Sequence, residues 1–118
     1  MLTMSRMPRL ELRLVFWCRA IAYTPCTNRT FRLGSHPAAT PRLAVRWLHM
    51  RADHIAEQLD LQAATAVRHW LTNRAEQENA LSLLARGEPY SRAIQDDGIR
   101  YLLSAFPISR TARRQQAP

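Results

Sequence analysis

Lysine is absent from this 118-residue chain; all 17 basic residues are arginine, set against nine acids for a formal charge of +8. A GC-rich coding sequence produces the same bias, so basicity alone names no partner. Glycine is nearly as scarce. Gly34, Gly87 and Gly98 lie too far apart to form a glycine-rich phosphate loop. Two cysteines, Cys18 and Cys26, cannot build a disulfide scaffold or a four-thiolate metal site, and their spacing is not that of a C-x-x-C redox turn. No apolar run approaches the roughly 18 residues that a membrane-spanning helix needs. No G-x-S-x-G nucleophile turn occurs.

The charge that is present is unevenly placed. Residues 1–50 hold eight arginines against Glu11 alone, residues 51–107 hold six arginines against eight acids, and residues 108–118 hold three arginines and no acid. Basic ends therefore flank a mildly acidic middle. The expectation is a chain of one domain: a basic, poorly ordered arm at 1–40, a helical body at 41–107 and a flexible basic tail at 108–118.

The arm is ambiguous. Leu10, Leu12, Leu14 and Phe16 alternate as in a strand, while Leu10, Leu14, Trp17 and Ile21 also recur at helical spacing. Thr24 to Thr40 concentrates turn formers and breakers, which reads as a loop or linker. Met50 is an alternative start, at the cost of the first predicted helix. The arginine- and hydroxyl-rich, acid-poor beginning is similar to an organelle transit peptide. The expectation for localisation is cytoplasmic, with organelle targeting as the alternative.

From Pro41 the texture becomes helical. Leu48, Ala52, Ile55, Ala56 and Leu59 form one apolar stripe, predicting a helix from about 42 to 59. A second helix is predicted over 62–72. Asn73, with Glu76 three residues on, is suited to cap a third, which Gly87 and Pro89 would close. The segment 90–105 reads as a last helical region, with Ile94, Tyr101, Leu102 and Ala105 on one face and Asp96-Asp97-Gly98 as a break. The fold class predicted is therefore all-α: a small bundle of three or four helices with an irregular N-terminal arm. Trp47, Trp70, Tyr101 and Phe106 would fill its core.

Chemistry is sparse. His49 and Asp53 face the same way on a helix, but His54 is turned about 100° away and no second ligand pair follows. Acids at Asp53, Glu57 and Asp60 suit a solvated face, and Asp96-Asp97 suits a helix cap. The expectation is no enzyme, no metal, no cofactor and no small-molecule substrate.

One constellation remains, running from His54 to Leu71 as His-Ile-Ala-Glu-Gln-Leu-Asp-Leu-Gln-Ala-Ala-Thr-Ala-Val-Arg-His-Trp-Leu. It resembles the helix-turn-helix of DNA-binding regulators, with Ala56 as the small residue at the helix crossing, then Leu59, a turn, Leu61, and Trp70 as the anchor of the second helix. The resemblance implies a DNA-binding transcriptional regulator. Gln62, Thr65, Arg68 and His69 would face base edges and Arg74 a phosphate. The alternative is a non-catalytic helical interaction module that dimerises or docks a protein through apolar surface around Trp47 and Trp70. A ribbon-helix-helix reader is excluded by Pro25, Gly34 and Pro37 between ribbon and helix.

Overall fold

The computed structural model describes residues 11–112 of the chain. Strands β1 (Glu11–Thr24) and β2 (Arg29–Ala38) come first, then helices α1 (Pro41–Ala56), α2 (Leu61–Thr72) and α3 (Arg74–Ala85). Strands β3 (Tyr90–Asp96) and β4 (Ile99–Ala112) follow. The strands form one sheet in the order β2-β1-β4-β3, every neighbouring pair antiparallel. The all-α bundle is thus overturned: the protein is a four-stranded antiparallel sheet backed by three helices. The tips of the expected arm and tail, residues 1–10 and 113–118, lie outside the described residues.

Two turns account for the difference. Asp97 and Gly98 both have positive φ, +45° and +81°. A two-residue loop of this kind twists the way antiparallel strands twist, and Asp-Gly supplies it at little steric cost. What reads as a broken helix over 90–105 is therefore the β3–β4 hairpin, with Asp96 facing Ile99 across the turn. The region 24–40 is likewise mostly strand. Only residues 25–28 turn, closed by the Asn28 N–H donating to the Pro25 carbonyl at 3.2 Å, with Asn28 in the left-handed conformation (φ +53°).

The helices begin where their caps dictate. The Thr40 hydroxyl accepts from the Leu43 N–H ahead of Pro41, and Asp60 accepts from the Ala63 N–H at the head of α2. Asn73 ends α2 and caps α3 by accepting from the Glu76 N–H. Gly87 closes α3 at φ +80°, with the Glu88 N–H reaching the Leu83 carbonyl at 2.9 Å and the Gly87 N–H reaching that of Leu84 at 3.0 Å.

The core lies between the helices and one face of the sheet. Successive strand residues point to opposite faces, and in β1 it is Phe16, Cys18, Ala20 and Ala22 that are buried. Leu103 and Ala105 of β4 and Tyr90 and Ile94 of β3 join them, against Leu48 and Ala52 of α1, Val67 and Trp70 of α2, and Leu84 of α3. The Cys18 thiol points at the Ala44 carbonyl of α1, 3.9 Å away. Trp47 and Trp70 do enter the core. Phe106, expected there, does not belong to the cluster, because its register places it on the other face.

Candidate nucleic-acid interface

That other face is built by the odd positions of β1. Register places Trp17 beside Phe106 and Pro37, Ile21 beside Leu102 and Arg32, and Tyr23 beside Arg100 and Thr30. Val15, Trp17, Ile21, Tyr23, Leu102 and Phe106 are half-buried by their neighbours in the sheet, and none packs on the core cluster. The result is an apolar, aromatic surface turned away from the helices.

A polar row crosses it. Arg19 of β1 pairs with Ser35 of β2 and Ser104 of β4, and Ser104 pairs with Ser91 of β3. The Arg19 guanidinium lies over the Phe106 ring, 5.8 Å from its centroid. Its Nε is the one buried side-chain nitrogen or oxygen among the described residues without a hydrogen-bond partner. A buried, unpaired guanidinium N–H costs free energy until an acceptor reaches it. Tyr23 is fixed by donating its hydroxyl to Asn28 Oδ1 at 2.9 Å, and Arg100 Nε donates to Gln95 Oε1 at 3.4 Å.

The electrostatics favour an anion here. Register places Arg19, Arg32 and Arg100 on this face, and strand residues 14–24, 29–38 and 99–108 hold no acid; Arg29, paired with Thr24, belongs to the helix side. By contrast residues 57–88, which carry α2 and α3, hold three arginines against five acids. Helix α1 adds Arg42, Arg46 and Arg51 against Asp53, so the positive charge is shared by these strands and α1, and the α2–α3 hairpin is mildly negative.

The residues taken from the helix-turn-helix resemblance are all exposed. Gln62, Thr65, Arg68 and His69 share the outer side of α2, whose inner side buries Ala64, Val67 and Trp70. Arg74 is not part of that surface; it opens α3 beyond the Asn73 cap. Thr65 donates its hydroxyl to the Leu61 carbonyl of its own helix at 2.8 Å.

The titratable groups of the interior have structural partners. Burial raises the Cys18 thiol to about 11, leaving it protonated and unreactive at neutral pH. Burial lowers the His49 imidazole, whose ring meets Trp70 edge-on at 5.2 Å. Tyr90 is raised to about 12, first by burial and then by donating to Glu76 at 2.7 Å, while accepting from Trp70 Nε1 at 3.1 Å. Among the described residues no three His, Cys, Asp or Glu side chains gather as a metal site would need. No described helix is long and apolar enough to cross a membrane.

Sequence reasoning missed Trp17, Arg19, Arg32, Arg100 and Phe106 as site residues. The period of two over residues 10–16 was the available signal, and extended to Tyr23 it separates buried Phe16, Cys18, Ala20 and Ala22 from Trp17, Arg19, Ile21 and Tyr23. No protein-family model, curated protein or solved structure matches this chain.

Proposed function

We propose that the protein binds single-stranded nucleic acid on the open face of its sheet. The observation that carries this reading is the Arg19 Nε, without a hydrogen-bond partner among the described residues, set between Trp17 and Phe106 on one side and Ile21 and Leu102 on the other. Splayed bases stack on aromatic rings, and phosphates take charge-assisted hydrogen bonds from arginine. Trp17, Phe106 and Tyr23 would receive roughly two or three bases. Arg19, with the hydroxyls of Ser35 and Ser104, would hold a phosphate between them, and Arg32 and Arg100 would attract the strand on either side.

Charge complementarity selects this occupant over a second copy of the same face, since apposed copies would bring Arg19, Arg32 and Arg100 of each into proximity without acids to offset them. A duplex is the weaker fit. Its bases are stacked internally, and an α-helix or a two-stranded ribbon reads its groove more readily than a flat four-stranded face.

Fluorescence anisotropy with labelled single-stranded and duplex oligonucleotides of one sequence tests the proposal. Tighter single-strand binding, weakened by Trp17→Ala and by Arg19→Gln, supports it. Duplex binding abolished by Arg68→Ala instead returns the function to α2 and to the helix-turn-helix reading. Sedimentation without nucleic acid reports whether the face pairs two copies, and a dimer lost in Trp17→Ala overturns the proposal.

A further inference from the structure

On the helix side of the sheet, an open groove of about 410 Å³ lies between the C-terminal half of α1 and the β1–β2 end of the sheet. Its floor is apolar, from Leu33, Ile55 and Tyr101, and Phe31 forms one wall at 43% exposure. Leu33 is there because of a bulge. Ala20 pairs with Gly34 but Ile21 pairs with Arg32, so β2 carries one extra residue at this point.

Two nitrogen-bearing side chains of α1, Arg51 and His54, stand at the edge of the groove. Arg51 is held from two sides. Its guanidinium lies 5.5 Å from the Trp47 ring centroid and presses on Gly34, where an added Cβ would sit 2.9 Å from Nη2. No described carboxylate forms an ion pair with it. Arg51 lines an apolar hollow and no described carboxylate pairs with it, which leaves its charge available to an anion bound there.

We infer that this groove binds a small apolar molecule carrying one carboxylate. The apolar floor requires an apolar body, and the volume falls within the range of small-molecule sites, roughly 300–1,000 Å³. A single guanidinium, with one imidazole near it, matches one carboxylate better than a polyphosphate, for which several cations converge. Gly34 leaves room for the Arg51 guanidinium beside β2, and a larger residue there shifts that flexible group. The groove opens on the face opposite Trp17 and Arg19, so the inference stands apart from nucleic-acid binding.

The test uses the full chain with two probes, 4-phenylbutyrate and its neutral amide, 4-phenylbutanamide, followed by calorimetry and by the methyl NMR signals of Leu33 and Ile55. The carboxylate binds about tenfold more tightly than the amide, the effect of one charge-assisted hydrogen bond, and both shift the two methyl signals. Arg51→Met lowers the carboxylate to the affinity of the amide without changing the amide, while Arg51→Lys keeps part of the preference. Equal affinity for the two probes overturns the assignment. So does a preference that survives Arg51→Met, shifts confined to other residues, or no binding of either at millimolar concentration.

Discussion

Arg19 and Phe106 sit on adjacent strands, the guanidinium 5.8 Å from the ring centroid, and the Arg19 Nε has no hydrogen-bond partner among the described residues. Where the polar row of Ser35, Arg19, Ser104 and Ser91 crosses the apolar face, this pair combines a charge with a stacking surface. Arg19→Gln removes the charge and keeps a donor. It is expected to weaken single-strand binding and to reduce the slope of log K against log salt by about 0.7, the signature of one lost phosphate contact. Affinity measured at several salt concentrations checks both.

Trp17→Ala removes the largest ring of the face. Base–aromatic stacking is worth about 1–3 kcal/mol per base, so affinity should fall about fivefold to over a hundredfold with the salt slope unchanged. Because Trp17 lies outside the core cluster, the thermal midpoint should move little. The two readouts separate loss of a stacking surface from loss of fold.

Gly98 tests the β3–β4 turn. Its φ of +81° suits glycine, and nothing lies within 4 Å of an added Cβ, so Gly98→Ala is strained by backbone conformation alone. The cost should be about 1–2 kcal/mol, seen as a lower midpoint in thermal unfolding. An unchanged midpoint would place Gly98 outside a left-handed turn.

Tyr90 joins α2, α3 and β3 by accepting from Trp70 Nε1 and donating to Glu76. Tyr90→Phe leaves the indole N–H buried without an acceptor, a loss of about 1–3 kcal/mol. The alkaline limb of stability follows from the same group. The phenol is raised in the folded state from 10 to about 12. Its contribution is therefore complete below pH 10 and is lost as pH rises towards 12. Denaturant midpoints across that interval should fall less steeply for Tyr90→Phe than for the natural chain.

Cys18 and Cys26 should separate by reactivity. Cys18 is buried against α1 and raised to about 11, whereas Cys26 is exposed in the β1–β2 turn. A thiol-specific reagent at pH 8 should modify one group per folded chain, and two after denaturation.

The helices were legible because their determinants are local. The stripe through Leu48, Ala52 and Ile55, Pro41 at the first turn of α1, the capping side chain of Asn73 and the Gly87 stop each act within a few residues. The sheet was not, because its central pairing joins β1 to β4, with Cys18 opposite Ala105 across 86 intervening positions of chain. No local pattern encodes such a contact. The segment 90–105 misled for a different reason. Ile94, Tyr101, Leu102 and Ala105 fit a helical face, yet Asp97-Gly98 is a hairpin signal that outweighs them once both residues adopt positive φ. The five residues of the helix-turn-helix resemblance are exposed, four of them on α2 and Arg74 on α3. The sheet surface escaped notice because Trp17 and Phe106 were read as core or as arm before any partner strand could be assigned.

The most direct test is an NMR titration of the full chain with a short oligothymidylate, following the Trp indole N–H signals and the backbone amides. The account predicts saturable shifts at Trp17, Arg19, Tyr23, Ser104 and Phe106, with Gln62, Thr65 and Arg68 unmoved. Shifts confined to α2, or none at saturating oligonucleotide and low salt, would contradict it.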